Sequence, residues 1–138
     1  MEEKTIFEKI IAGDIPATFV YKDDICVAFL DISPINKGHT LVVPRSPFKN
    51  LYELPKNILD HVFEVAQKIA VAQKSTLGAD GVNIIMNNDS AAGQIVFHAH
   101  VHVIPRYDGD GYEHWHSKGG YTAGEAVSCA EKLKNILK

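Results

Sequence analysis

With 138 residues, 46% of them hydrophobic, the chain is sized for one globular domain that buries about two-thirds of its unfolded surface. A net charge of -3 with the histidines neutral excludes the basic field that a nucleic-acid backbone requires, while a small phosphorylated ligand, which needs only local donors, stays open. No apolar window reaches the length of a membrane helix, the acidic start Met1-Glu2-Glu3-Lys4 lacks the apolar run of a secretory signal, and Cys26 and Cys129 sit in no metal-ligand spacing; a cytoplasmic chain with free thiols, and with neither nucleic acid nor membrane as partner, is expected.

Along the chain, Phe7, Ile10 and Ile11 recur at helical spacing and stop at Gly13, which predicts a short opening helix. Phe19-Val20-Tyr21 and Cys26 to Leu30 flank the polar Lys22-Asp23-Asp24 as the arms of a hairpin do. The turn-rich run Asp31 to Gly38 leads to a strand over Thr40 to Val43, ended by Pro44. From Pro55 to about Leu77, the apolar residues Ile58, Leu59, Val62, Phe63, Val65, Ala66, Ile69 and Ala72 mark a long helix stopped at Gly78, suited to cover one sheet face. His61 reads as a solvated or boundary position of that helix. Gly81 to Met86 and Phe97 to Ile104 are the next strands, joined by the polar loop Asn87 to Gly93. Arg106 to Gly120 shows no period and reads as irregular. Thr122-Ala123-Gly124-Glu125 has capping-box spacing and opens a final amphipathic helix through Ala126, Val127, Ala130, Leu133 and Leu137. Hairpin-length connections make this an α+β chain, a mainly antiparallel five-stranded sheet with helices packed on it; its core spans about residues 4–106, with the irregular segment and last helix over 107–138.

The run His98-Ala99-His100-Val101-His102-Val103-Ile104 carries the chemistry. Alternation along a strand puts the three imidazoles on one face, roughly 6.6 Å apart, and turns Ala99, Val101 and Val103 to the other. A lone histidine reads as a satisfied, partly buried side chain, but three on one face are costly as core. His-x-His on a strand can bind zinc, yet strict alternation spans too far along a flat strand to converge easily on one ion. The remaining reading is nucleophilic or acid–base catalysis, because imidazole attacks electrophiles and titrates near neutrality.

The stretch Gly93-Gln94-Ile95-Val96-Phe97 followed by that histidine run resembles the signature of the histidine triad nucleotide-binding superfamily. The similarity extends through Ile6-Phe7-Glu8-Lys9-Ile10, Ala28-Phe29-Leu30-Asp31-Ile32-Ser33-Pro34 and Gly38-His39-Thr40-Leu41-Val42-Val43-Pro44, in the family's order, over roughly the first three-quarters of the chain. The resemblance implies a histidine triad fold, a homodimer, and hydrolysis or transfer of a nucleoside monophosphate held through its α-phosphate. It makes His100 the nucleophile, forming a nucleotidyl-histidine that water hydrolyses, with His102 beside the phosphate oxygens and leaving group and His98 and His39 supporting the array. One imidazole nitrogen attacks only if the other donates to a fixed acceptor, for which a backbone carbonyl is expected. By the same resemblance Asp31 takes the ribose hydroxyls, and Ile6, Phe7, Ile10, Phe29, Leu30 and Ile32 pack around a purine base. Polar groups close in sequence that could hold phosphate charge are Asn87, Gln94 and the backbone amides of Gly93, Gln94, Ile95 and Val96, Gly93 allowing close approach. Taken alone, Asn87 reads equally as a turn residue and Gln94 as a solvated loop residue.

The chain departs from the family at two points. Many relatives carry Cys-x-x-Cys near the amino terminus in a structural zinc site, where this chain has Thr5-Ile6-Phe7-Glu8, so no metal and no other cofactor is expected. The hydroxyl residue that follows Gly-Gln in the phosphoramidate-cleaving subgroup is here Ile95. Val103-Ile104-Pro105-Arg106 looks like the strand ending of members some of which cleave dinucleoside polyphosphates. His114 and His116, bracketing Trp115, read as part of a lid or as a plain surface loop. The expected activity is metal-independent hydrolysis of a purine nucleoside phosphoramidate or related adenylylated compound, releasing the nucleoside monophosphate. Dinucleoside polyphosphate hydrolysis, or AMP or GMP binding by a non-catalytic adaptor or sensor, are the alternatives.

Overall fold

The computed structural model describes residues 3–137; Met1, Glu2 and Lys138, at the two ends of the sequence, lie outside the described residues. The elements are α1 (Ile6–Ala12), β1 (Phe19–Lys22), β2 (Cys26–Leu30), β3 (Thr40–Pro44), α2 (Lys56–Leu77), β4 (Gly81–Ile85), β5 (Val101–Arg106) and α3 (Glu125–Ile136). One five-stranded sheet runs β1-β2-β3-β5-β4, every neighbouring pair antiparallel. Among the described residues no helix is long and apolar enough to cross a membrane.

Period-2 alternation separates two cores across this sheet. Cys26, Ala28, Val42, Val101 and Val103 face α2 and pack with its Val62, Val65 and Ala66. Val27, Phe29, Leu41 and Val43 face the other way and pack with Phe7 and Ile10 of α1. His102 stands opposite Leu41 in the β3–β5 register, which places it on the α1 face. Gly38, at φ 100, lets the chain enter β3 close to the end of α2, where a Cβ would meet Leu77 Cδ1 at 2.5 Å.

Three local features differ from the sequence-based expectations. The strand expected over Phe97 to Ile104 begins only at Val101, because β3 ends at Pro44 and its pairing with β5 stops at Val42 opposite Val101. The segment before it bonds instead to the chain that follows β3, with Ala99 N–H donating to Phe48 O at 2.7 Å. The segment after β5 forms no helix or strand, as its lack of period predicts, but its first residues are pinned: the Asp110 carboxylate accepts from Arg106 Nε at 2.7 Å and Nη2 at 2.9 Å, and from the Tyr107 N–H and the Asn36 amide. At the last helix, the Thr122 N–H donates to Glu125 Oε1 at 2.7 Å, but the residue preceding α3 is Gly124 and no side chain caps it. The apolar stripe of α3 does not pack on its own sheet, leaving Val127 and Leu133 more than half exposed.

His61 is not a bystander. Its Nε2 lies 2.6 Å from Asp23 Oδ2, joining α2 to the β1–β2 turn. The same carboxylate accepts from the Tyr21 hydroxyl and from the backbone N–H groups of Ile25 and Cys26. Burial alone would raise the Asp23 pKa, but these donors outweigh it and hold the carboxyl well below the usual carboxylate range. A carboxyl depressed in the folded state contributes stability above its unfolded pKa of about 4 and loses it as pH falls further. Asp23→Asn is therefore expected to cost about 1–3 kcal/mol at neutral pH and to flatten the fall in stability below about pH 4. Urea midpoints measured across that range for both proteins check this.

Candidate active site

Four histidines meet on the α1 face of the sheet. His102 comes from β5, His39 from the residue before β3, and His98 and His100 from the irregular segment before β5. The rings of His39 and His102, and of His100 and His102, have centroids 5.1 Å apart. The Phe7 ring of α1 stands edge-on to His100 at 5.0 Å and to His98 at 5.7 Å.

The partners of these rings fix their protons. Nδ1 of His100 lies 2.8 Å from the His98 carbonyl, a group that can only accept, so Nδ1 carries the hydrogen and the Nε2 of the neutral ring keeps its lone pair. Nδ1 of His39 receives the Ile35 N–H at 3.1 Å, which can only donate, so the hydrogen of His39 is on Nε2. That nitrogen is 2.9 Å from Nδ1 of His102 and donates to it, leaving the hydrogen of His102 on Nε2. His100 thus presents an unprotonated nitrogen and His102, beside it, an N–H. Nε2 of His98 donates to Pro44 O at 2.8 Å, and Nδ1 faces the Thr5 hydroxyl at 2.8 Å.

Around this array the other expected residues take different places. Asp31 sits within reach, its Oδ1 accepting from the Ser33 N–H at 2.9 Å and its Oδ2 lying 3.7 Å from Nε2 of His39. Phe7, Ile10 and Phe29 are buried in the α1-side core, Val96 packs against it and Leu30 is half-buried, whereas Ile6, Ile32 and Ile95 are exposed apolar side chains. Gly93 has φ 91, and a Cβ there would approach the Asn87 amide nitrogen at 3.6 Å, so Asn87 lies against the turn that the glycine makes. Gln94 departs from both readings of it. It is buried, its Oε1 accepts the Asp89 N–H at 2.8 Å, and its Nε2 donates to Lys49 O and Val96 O; its amide braces the loop and has no donor left for a phosphate. Trp115 is exposed, and His114 and His116 lie in the exposed segment beyond Tyr112. A groove of about 600 Å³ lies between α2 and the opposite face of the sheet, away from the histidines; a smaller one of about 370 Å³ runs past Leu30, Asp31 and Ile32. The backbone-carbonyl acceptor expected for the nucleophilic ring is that of His98, while Thr5, the Ile35 amide and the Pro44 carbonyl were not expected as parts of the site. For Thr5 the sequence did carry a signal, a Thr-x-x-Glu capping pattern at the start of α1.

Two sets of metal-type donors come together among the described residues, and the members of each are already engaged with one another or with other donors. Asp31, His39 and His102 converge, but the two imidazole nitrogens that face each other already share a proton. Asp23, Cys26 and His61 also converge, but burial pushes the Cys26 thiol up to about 12, and both carboxylate oxygens of Asp23 are taken by donors. Thr5 and Glu8 bond each other in a capping box.

Comparison with known proteins adds the family context. The HIT domain family model matches residues 12–109. The protein Hit of Bacillus subtilis is 49% identical over 111 residues, covering 80% of this chain and 77% of that protein. Adenylylsulfatase HINT3 of Arabidopsis thaliana is 36% identical over 110 residues, 80% of this chain and 56% of that one. The crystal structure of a HIT family protein from Bacillus anthracis superposes with a TM-score of 0.88 at 40% identity over the whole of both chains. A histidine triad nucleotide-binding protein from Candida albicans superposes with a TM-score of 0.85 at 31% identity over 97% of each.

Burial is the largest influence on all four imidazoles and lowers their pKa values. For His102 the neighbouring His100 and His39 add to it, and the opposing pull of Asp31 leaves the ring at about 4. The unfolded chain takes up protons on these rings near pH 6.5, which the folded array resists, so stability is full above that pH and is lost as pH falls toward about 4. The urea midpoint is expected to fall through this window, and His102→Asn, whose side-chain oxygen can replace the accepting Nδ1, to remove part of the fall. A wild-type midpoint that stays flat there contradicts neutral burial of the array.

Proposed function

This chain belongs to the HIT domain family, and from that premise we propose that it is a nucleotide-binding hydrolase that cleaves purine nucleoside phosphoramidates, or related adenylylated compounds, at the α-phosphate through a nucleotidyl-His100 intermediate. The observation that carries this reading is the pair of opposite tautomers: a bare Nε2 on His100 beside an Nε2–H on His102. The first is a nucleophile and the second a donor for phosphoryl or leaving-group oxygen or nitrogen.

In the first step Nε2 of His100 forms a bond to phosphorus as the bond from phosphorus to the leaving group breaks. The leaving group departs with that electron pair. An amine protonated on its nitrogen in the substrate departs neutral, and a sulfate departs as its anion, so neither needs a net proton from the protein. His102, held at about 4, assists by hydrogen bonding and not as a proton reservoir. The ring of His100 becomes positive when phosphorylated, and the His98 carbonyl on its Nδ1–H stabilises that charge. Water then attacks phosphorus, the electron pair returns to His100, and one proton leaves to solvent with the nucleoside monophosphate released.

The substrate assignment is supported by Asp31, which presents an acceptor for ribose hydroxyls beside the small groove, and by exposed Ile32 as an apolar plate for a base. With the Gln94 side chain occupied and the backbone N–H groups of Gly93 and Gln94 donating to Ser90 O and Asp89 O, the phosphate donors left in this stretch are the amides of Ile95 and Val96. A homodimer belongs to the same proposal, supported by the exposed Ile84 and Ile85 on edge strand β4.

The chain is expected to release AMP from adenosine 5′-phosphoramidate in the presence of a chelator, and His100→Ala to lower turnover by about a thousandfold or more while AMP affinity stays within a few-fold. Running a diadenosine polyphosphate in parallel selects the substrate class by the faster rate. Tight AMP binding with no His100-dependent cleavage of either compound contradicts the hydrolase and leaves a binding protein.

A further inference from the structure

We infer that Thr5 is a positioning residue for the histidine array, its hydroxyl proton directed onto Nδ1 of His98 so that this ring stays neutral, in one tautomer, and holds the carbonyl that receives the proton of His100. Thr5 Oγ1 accepts the Glu8 N–H at 3.0 Å, which occupies an oxygen lone pair and leaves its single hydrogen free to point elsewhere. Nδ1 of His98, at 2.8 Å, is the partner in place. Nε2 of His98 already donates to Pro44 O, so a neutral His98 has only a lone pair on Nδ1 and needs a donor there. Thr5 is the residue that supplies it. His98 is fully buried, so without that donor the nitrogen either stays unsatisfied, at a cost, or takes up a proton.

The geometry also explains why a threonine in this place serves the site rather than α1 alone. As the helix N-cap it is tied by reciprocal bonds to Glu8, at 2.9 and 3.0 Å, so its hydroxyl is held by the helix that carries Phe7 against His98 and His100. The charged or titratable groups that act on His98 are Glu8 from α1, which favours its cation, and His100, which opposes it; Glu3, Lys4, Lys49 and Glu53 line a groove outside Thr5. A proton gained by His98 would put a positive ring next to the nitrogen that, in the proposed function, must itself become positive. The kinetic consequence rests on that proposal; the tautomer of His98 does not.

Three full-length variants test it. Thr5→Ser keeps both roles of the hydroxyl. Thr5→Asp keeps the helix cap, for which aspartate is as good a residue as threonine, but offers only acceptors, so Nδ1 of His98 must gain a proton to meet it. Thr5→Val removes the hydroxyl. Nitrogen-15 spectra of the histidine-labelled protein at neutral pH are expected to show His98 with one bare nitrogen in the wild type and Thr5→Ser, and with both nitrogens protonated in Thr5→Asp. With adenosine 5′-phosphoramidate, kcat is expected to fall about tenfold or more in Thr5→Asp and Thr5→Val with KM within about threefold, and to be restored in Thr5→Ser. If His98 keeps one bare nitrogen in folded Thr5→Asp, or if that variant turns over like the wild type, Thr5 acts as a helix cap only and the inference fails. If the wild type itself shows no turnover, the proposed reaction fails, and the spectra still decide the tautomer.

Discussion

The hydrogen bond from Nδ1 of His100 to the carbonyl of His98 is the contact on which the rest of the site depends. It joins residues two apart, so it constrains the backbone as much as the ring. The carbonyl must turn toward its own neighbour's side chain instead of toward an adjacent strand, and it can do so because the strand has not yet begun: β5 starts at Val101, where pairing with β3 opens. Had the ladder run back to Phe97, that carbonyl could have been claimed by sheet pairing. The proline that ends β3 therefore has two effects, since it closes the ladder and its own carbonyl receives the other fixed proton, from His98.

The second constraint is that burial makes every unpaired ring nitrogen costly, about 1–3 kcal/mol each if nothing meets it. The array answers with donors and acceptors whose direction is not negotiable: an amide at Ile35, and carbonyls at Pro44 and His98. From these fixed ends the protons in between have one arrangement for neutral rings. The result is chemically asymmetric. Two histidines with centroids 5.1 Å apart present opposite faces, one a lone pair and the other an N–H, with burial keeping both uncharged. A nucleophile and a donor side by side are what in-line displacement at phosphorus uses.

Much of this was legible in the chain because local rules govern it. Periodicity and Gly78 marked α2 to its last turn, the short apolar runs of β2 and β3 located the sheet, and the histidine alternation located the chemistry. What could not be read were contacts made across long separations. Asp23 and His61 are 38 positions apart, and Thr5 and His98 are 93 apart. Gln94 illustrates the same limit differently: its place in the sequence suggested a phosphate contact, but the carbonyl of Lys49, brought alongside by the turn after β3, takes its amide hydrogen. The last helix forms where the spacing predicts it, but spacing reports an apolar stripe and says nothing of what covers it.

The measurement that tests this account most directly is the protonation of individual ring nitrogens in the ligand-free protein at neutral pH, by nitrogen-15 correlation spectra assigned through His39, His100 and His102 variants. The account predicts hydrogen on Nδ1 and a bare Nε2 for His100, and the reverse for His102 and His39. A His100 ring with its hydrogen on Nε2, or a His102 ring that is cationic at that pH, would contradict it.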